Sequence, residues 1–125
     1  MSTHQLNLMS NIGQLWLIDL DGTVVTHNAY LNTGDELLPG VTEFFSDIPE
    51  NHVIIILTAR KEKYHQSTIN FLNQKKLRFN YLLMNMPTGE RILINDKKPD
   101  GTKTAYAFNL IRNSGLGSLK IKYNK

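Results

Sequence analysis

The sequence predicts an α/β protein built on a mainly parallel sheet, and three observations support this fold class. Short apolar stretches alternate with segments whose apolar residues lie at helical spacing. The stretches are apolar on both faces, which is typical of strands covered from both sides. Polar residues follow them directly, where ligands bind in such sheets. Because the chain has only 125 residues, we expect one three-layer, Rossmann-like domain over 1–125.

The first predicted elements follow residues 1–13, which are expected to be a loose lead-in. QLWLIDL (14–20) is short and almost continuously apolar, which indicates a buried parallel strand. Residues 24–38 have no clear period, and we interpret them as a short hairpin or flap. A helix that ends at a proline is then indicated by the spacing of Val41, Phe44, Phe45 and Ile48.

The rest of the chain continues the alternation. HVIIILT (52–58) and NYLLMNM (80–86) predict two more buried strands, with an amphipathic helix between them. RILIN (91–95), after the turn PTGE, predicts a fourth strand. KTAYAFNLIRNSG (103–115) predicts a helix with a glycine in the usual stopping position. SLKIKY (118–123) alternates as an edge strand does.

Composition excludes several classes of protein. The chain has no cysteine, so disulfides, thiolate metal sites and a cysteine nucleophile are excluded. The N-terminal sequence lacks the features of a signal peptide, and no apolar run has membrane-spanning length. We therefore expect a cytoplasmic protein with no membrane partner. The basic residues of 60–78 lack interleaved aromatic residues, so nucleic acid is not expected as a partner.

Polar residues that follow the predicted strands should meet at one edge of the sheet. They include carboxylates, hydroxyls and cations, which together suit the binding of a phosphate with a divalent metal. Asp19 and Asp21 lie so close that they repel each other, and a bound cation is the simplest remedy. The set is Asp19, Asp21, Thr23, Thr58, Ala59, Arg60, Asn85, Asn95, Asp96, Lys97 and Lys98.

Three stretches that follow the predicted strands resemble the motifs of the haloacid dehalogenase (HAD) superfamily. They are DLDGT (19–23), LT (57–58) and INDKKPDG (94–101), and their order, spacing and placement after strands all match. The resemblance implies that Asp19 is a nucleophile that forms an aspartyl-phosphate. It implies that Asp21 is the general acid and later the base, and that Thr58 hydrogen-bonds a phosphate oxygen.

The resemblance also implies a magnesium site and a phosphate-binding cation. Mg²⁺ would be held by the Asp19 carboxylate, the Asp21 backbone carbonyl and Asp96, since this hard cation prefers oxygen ligands. A lysine or arginine neutralises the nucleophile and phosphate in the family. We favour Lys98 for this role, with Arg91 and Lys97 as rivals.

Four further residues are expected to line the substrate site. Gly22 lets the chain leave the first strand sharply, and Thr23 follows it in the motif. Ala59 and Arg60 come directly after the second strand. Arg60 faces either the pocket or the surface, and the sequence leaves both open.

The predicted function is Mg²⁺-dependent hydrolysis of a small phosphomonoester. The segments between the strands leave no room for a cap domain, so residues 24–38 would act as the flap. Relatives without a cap act on large substrates, close the site with a short flap, or close it by forming homo-oligomers. LINDKKPDG (93–101), the short flap and TAR (58–60) are similar to small bacterial HAD proteins associated with capsule or surface-sugar biosynthesis. This resemblance suggests a sugar phosphate as the substrate.

Two other functions fit parts of the pattern. A phosphorelay receiver domain also uses Asp, Thr, Lys and Mg²⁺, but it carries its phosphoacceptor where this chain has Thr58. Its acidic pair is adjacent in sequence, whereas Leu20 separates Asp19 from Asp21. A non-catalytic phosphate-binding module on a HAD scaffold is the second alternative, and the intact acidic pair argues against it.

Overall fold

The computed structural model describes residues 4–9 and 12–124, and it confirms the α/β class with parallel strands. The elements are β1 (His4–Met9), β2 (Leu15–Asp19), α1 (Val41–Asp47), β3 (Val53–Leu57), α2 (His65–Gln74), β4 (Tyr81–Leu83) and β5 (Leu119–Asn124), with 3-10 helices at Ala29–Leu31 and Glu62–Tyr64. One sheet has the order β2–β3–β4 and a second sheet pairs β1 with β5, all in parallel. None of the helices in this part of the chain is long and apolar enough to cross a membrane.

The register of the three-stranded sheet brings the strand ends level with each other. Asp19 at the end of β2 pairs with Leu57 at the end of β3, which pairs in turn with Leu83 of β4. The next backbone N–H groups continue the ladder, from Leu20 to the Leu57 carbonyl and from Thr58 to the Leu83 carbonyl, each at 3.0 Å. Residues that follow β2 and β3 therefore share one edge, as the sequence predicted.

The sheet buries the alternate side chains of its strands in the main core. These side chains and both α-helices contribute to one cluster, which includes Ile18, Ile54, Ile56, Val41, Phe45 and Leu72. The side chains at the other positions, such as Leu15, Leu17 and Tyr81, are 60%, 48% and 59% exposed. Burial on both faces was predicted for these strands and is not observed, because no helix covers the second face within the described chain.

The N-terminal lead-in is the first element that differs from its prediction. Residues 4–9 form β1, which pairs with β5 from His4 opposite Leu119 to Met9 opposite Asn124. The prediction of a loose segment is wrong for these residues, and residues 1–3, 10 and 11 lie outside the described ones. The partner strand lies at the far end of the chain, so no local pattern could reveal the pairing. The edge strand predicted at 118–123 is confirmed as β5.

Two predicted elements in the C-terminal part do not form. Residues 91–95 are exposed and irregular, and residues 103–115 contain no helix. A parallel crossover needs about a dozen residues or more, and 84–90 are too few to carry the chain from β4 to another parallel strand. The predicted helix has apolar side chains that find no cover, since Tyr106 and Ile111 are 53% and 73% exposed. Helices of roughly 12 residues are marginal without such packing.

The predicted flap, the loop 24–38, is a packed segment with an exposed tip. Val24 and Val25 at its start are fully buried, and Leu38 at its end is 9% exposed. The Leu38 N–H donates to the Val24 carbonyl at 2.9 Å, which closes the base of the loop. Only residues 31–34 form a continuous exposed stretch. The base of this loop therefore belongs to the core, and its tip alone has the freedom of a flap.

A buried histidine gives the fold a dependence on pH. His52 is 1% exposed, and its Nδ1 accepts a hydrogen bond from Trp16 Nε1 at 3.0 Å. Its Nε2 is buried without a hydrogen-bond partner among the described residues. Burial, assisted by the charge of Arg78, lowers the pKa of His52. The folded state therefore holds this imidazole in its neutral form.

We predict that acidification destabilises the protein through His52. An unfolded histidine takes up a proton near pH 6.5, whereas the folded side chain resists it, so the stabilising effect is present above about pH 6.5 and is lost as the pH falls below it. The melting temperature should be measured between about pH 7.5 and 5 for the wild type and for His52→Gln. The variant should show the shallower fall, and parallel curves would contradict the assignment.

Candidate active site at the carboxyl edge of the sheet

The turn after β2 places the carboxylates of Asp19 and Asp21 at the carboxyl edge of the sheet. We call the region around these two residues, Thr58 and Arg60 the corner. The Leu20 carbonyl accepts backbone hydrogen bonds from residues 23–25 at 2.9 to 3.3 Å, which wraps the chain tightly around it. Gly22 has a φ of +91°, and a Cβ atom there would lie 3.2 Å from the Arg112 side chain. A glycine is therefore required at this sharp turn, as predicted.

Asp19 is the more accessible of the two carboxylates. Its Oδ1 accepts a hydrogen bond from Arg91 Nη1 at 2.7 Å, and its Oδ2 accepts one from the Thr23 hydroxyl at 3.0 Å. The side chain of Asp19 is 35% exposed and that of Arg91 is 44% exposed. An ion pair this exposed is worth only about 0–1 kcal/mol, so an incoming anion could displace it. Thr23, predicted to bind substrate, orients Asp19 in this arrangement.

Asp21 is held on both of its carboxylate oxygens. Its Oδ2 accepts a hydrogen bond from the Thr58 hydroxyl at 2.7 Å. Its Oδ1 accepts from Arg60 Nε at 3.1 Å and from Arg60 Nη2 at 2.9 Å. Thr58 and Arg60 are 1% and 3% exposed, so these contacts lie in the interior. The Thr58 hydroxyl would have to leave Asp21 before it could donate to a phosphate, and its predicted phosphate contact stays a prediction.

Arg60 lies in the interior, which settles the choice between pocket and surface left open by the sequence. Its Nη1 donates to Asp35 Oδ2 at 3.0 Å and to the Thr68 hydroxyl at 2.9 Å, and its Nη2 donates to Asp35 Oδ1 at 2.7 Å. With the two bonds to Asp21, every N–H of the guanidinium has an acceptor. Burial acts to lower the pKa of Arg60, but the hydrogen bonds and charges of Asp35 and Asp21 outweigh it and raise the pKa.

These contacts change the expected roles of Arg60 and Ala59. Substrate binding by Arg60 would require one of its present partners to leave, so that role stays a prediction. Ala59 is half-buried between Thr58 and Arg60, and its side chain offers no polar atom. Asp35 is a site residue that the sequence did not reveal, because it lies in a loop without a period and does not follow a strand.

The cation beside the predicted nucleophile is Arg91 and not Lys98. Within residues 4–9 and 12–124, the ion pairs are those of Arg60 with Asp21 and Asp35 and that of Arg91 with Asp19. Lys98 lies in an exposed turn in which its backbone N–H donates to the Thr102 carbonyl at 3.0 Å. Lys97 is likewise exposed. The role of Lys98 stays a prediction, and the contact with Asp19 favours its rival Arg91.

The predicted metal ligands lie in different local structures. Asp19 and Asp21 share the corner, but Asp96 lies in the exposed segment after 91–95, where its backbone carbonyl accepts a hydrogen bond from the Thr104 hydroxyl. Across the described part of the chain, no three His, Cys, Asp or Glu side chains are grouped so that they could hold a metal ion. The predicted set combines two carboxylates with the Asp21 backbone carbonyl, and both this set and Mg²⁺ stay a prediction.

The charged groups at the corner are balanced in number. Three carboxylates, those of Asp19, Asp21 and Asp35, form ion pairs with two guanidinium groups, those of Arg60 and Arg91. A third guanidinium group, that of Arg112, lies at the same turn, because a Cβ atom at Gly22 would be 3.7 Å from its Nε.

Comparisons with known proteins add information about the fold. No family model and no curated protein matches the chain. One similar solved structure is a chain of "Structure of Pnkp1/Rnl/Hen1 complex", with 24% identity and a TM-score of 0.50 over 65% of this chain and 31% of that chain. Another, from "Structure of the Pnkp1/Rnl/Hen1 RNA repair complex", has 23% identity and a TM-score of 0.50 over 67% and 29%. This chain spans less than a third of each.

The similarity corrects one expectation about partners. Both matched structures come from an assembly of RNA repair, as the second title states. The expectation that nucleic acid is excluded as a partner is contradicted by this finding. At this level of identity the comparison otherwise shows a shared fold and no shared activity.

We predict that the Thr58 hydroxyl stabilises the folded protein. Thr58→Val removes the donor to Asp21 Oδ2 and the acceptor of the Arg60 backbone N–H, at 3.1 Å from the hydroxyl. Loss of both hydrogen bonds, which leaves only the Arg60 Nε contact at 3.4 Å on Asp21 Oδ2, should lower the free energy of unfolding in urea by about 1–3 kcal/mol. Thr58→Ser keeps the hydroxyl and should retain most of the stability, so equal losses in the two variants would argue against this role.

Proposed function

We propose that this chain is a HAD-type phosphomonoester hydrolase in which Asp19 is the nucleophile. The observation that carries the proposal is the Asp19 carboxylate itself. It is oriented by Thr23 and Arg91 at 3.0 and 2.7 Å and is still 35% exposed at the carboxyl edge of a parallel sheet. Ligands bind at this edge in α/β folds, so an accessible, oriented carboxylate is well placed to attack.

The proposed reaction has two steps. An Asp19 oxygen attacks phosphorus, the bond from phosphorus to the ester oxygen breaks, and the alcohol leaves with a proton. Water then attacks the phosphorus of the aspartyl-phosphate, which releases inorganic phosphate and restores the carboxylate. Asp21 lies two residues further on and is assigned the transfer of the proton in both steps. Its side chain is 12% exposed, which gives it limited access to the corner.

Arg91 is assigned the neutralisation of the phosphoryl group. Its guanidinium already lies on the nucleophile, and its exposure leaves its other donors open to phosphate oxygens. The resemblance to the HAD superfamily implies a divalent cation as a further requirement of the reaction. Mg²⁺ would supply positive charge beside the phosphoryl group when bound, and the dependence on it is part of the test.

Different observations favour two different classes of substrate. The resemblance to surface-sugar proteins favours a small sugar phosphate, and the missing cap domain leaves the corner open to something larger. The similar structures come from an RNA repair complex, which makes a phosphorylated RNA end the second candidate. Phosphate release should be compared on sugar phosphates and on short RNAs with 5′- or 3′-terminal phosphates. The better substrate identifies the class.

We predict that Asp19→Asn abolishes phosphate release from an aryl phosphate. The amide is a poor nucleophile, so the rate should fall by on the order of a thousandfold or more. Assays with Mg²⁺ and with EDTA test the requirement for the metal. Asp47→Asn, the same chemical change on an exposed position of α1, is the matched control and should leave the rate unchanged. Wild-type turnover in Asp19→Asn would exclude this nucleophile, and an inactive wild type would favour the non-catalytic binding module.

We predict that Arg91→Ala weakens substrate binding and that Lys98→Ala does not. Removal of the guanidinium leaves Asp19 unneutralised, so KM should rise by roughly tenfold or more, which corresponds to the 1.5–3 kcal/mol of a charge-assisted hydrogen bond. Lys98 has no ion pair in the described structure and serves as the matched control. The opposite result would return the role to Lys98.

A further inference from the structure

We propose that Asp35 is a positioning residue, which holds Arg60 and through it fixes the Asp21 carboxylate. The inference rests on the proposed function, because Asp21 has a role to be positioned for only if the corner carries out chemistry. Asp35 lies in the loop 24–38 and was not indicated by any motif. Its carboxylate does not touch Asp21, and the two acids meet only through the guanidinium between them.

The guanidinium is fixed along two of its edges. Asp35 binds the edge made by Nη1 and Nη2 at 3.0 and 2.7 Å, while Asp21 binds the edge made by Nη2 and Nε at 2.9 and 3.1 Å. Such paired bonds define both distance and orientation. The ring of Tyr30 packs against the face of the group, with its centroid 4.0 Å from Cζ. Arg60 therefore has one defined position, and Asp35 supplies half of its charged contacts.

A purely structural role would be to anchor the loop, but other contacts already do so. Val24 and Val25 are fully buried, and the Thr26 N–H donates to the Glu36 carbonyl at 3.2 Å. Three charged side chains that are 1% to 12% exposed cost more to bury than an apolar anchor of the same size. This cost is better explained by a need to orient Asp21 than by a need to attach the loop 24–38.

The position of Asp35 in the loop adds to this argument. It directly follows Gly34, whose φ is +96° and whose Cβ position meets no atom within 4 Å. The loop tip is thus open, and Asp35 is the point at which the chain returns from solvent to the interior. A change at the tip would reach Arg60, and then Asp21, through Asp35 on one side of the tip and through Tyr30 on the other.

Loss of the Asp35 charge should loosen Arg60 while leaving it buried. The Nη1 and Nη2 donors would lose their anionic acceptor, and the guanidinium would adjust toward Asp21 or toward water. The Asp21 carboxylate would then no longer be held in one geometry, and proton transfer depends strongly on geometry. The nucleophile Asp19 has separate partners and should be unaffected.

The kinetic test uses Asp35→Asn on the full chain with an aryl phosphate. We expect kcat to fall by about tenfold with KM changed less than about twofold, because Asp21 acts in the chemical steps. Asp35→Glu keeps the charge and should recover part of kcat, which a loss of mere attachment would not explain. Glu36→Gln, the same chemical change at the exposed neighbouring residue, is the matched control and should behave as wild type.

A second readout does not depend on activity. The Nε–H of Arg60 is buried against Asp21, so its proton should exchange slowly with water in a ¹⁵N NMR experiment on the wild type. In Asp35→Asn this exchange should become at least about tenfold faster. If the wild type releases no phosphate but the exchange becomes faster, the proposed function fails and the contact stands. Unchanged exchange, or an unchanged kcat in an active enzyme, overturns the positioning role.

Discussion

The corner depends on one buried guanidinium that is shared by two carboxylates. Arg60 follows β3, Asp21 lies in the turn after β2, and Asp35 lies in the loop 24–38, so a single side chain joins three separate segments. Each of these charges would be very costly to bury alone. The three charged side chains are therefore stable in the interior only together, and the hydroxyls of Thr58 and Thr68 complete the hydrogen bonding of the group.

The parallel sheet determines which residues can reach this corner. β2 and β3 end level with each other, so the residues that follow them, Asp19 to Thr23 and Thr58 to Arg60, are neighbours in space. The same rule requires a long connection before any further parallel strand can be added. Residues 84–90 do not provide one, and Asp96 consequently does not follow a fourth strand of this sheet. One geometric constraint thus accounts both for the residues that meet at this edge and for the strand that does not form.

The sequence predicted the features that depend on neighbouring residues, and it did not predict the contacts between segments that are far apart in the chain. Asp19, Asp21 and Thr58 follow apolar strands directly, and their placement could be predicted from that pattern alone. The pairing of β1 with β5 joins the two ends of the chain, and no periodicity within either segment reports on it. The contact between Asp35 and Arg60 likewise spans a loop and a strand end. In 103–115 the helical spacing is present, but the packing that would stabilise a helix is not.

Two acids only two residues apart are given different environments by this fold. Asp19 faces solvent, and its cation comes from the exposed Arg91, which can exchange partners at little cost. Asp21 is held between Thr58 and the buried Arg60, which cannot leave without exposing a charge to the interior. A nucleophile must be free to change its partner during a reaction, whereas a group that transfers a proton must be kept in place. The division of exposure and burial between Asp19 and Asp21 therefore matches the roles proposed for them better than the reverse assignment would.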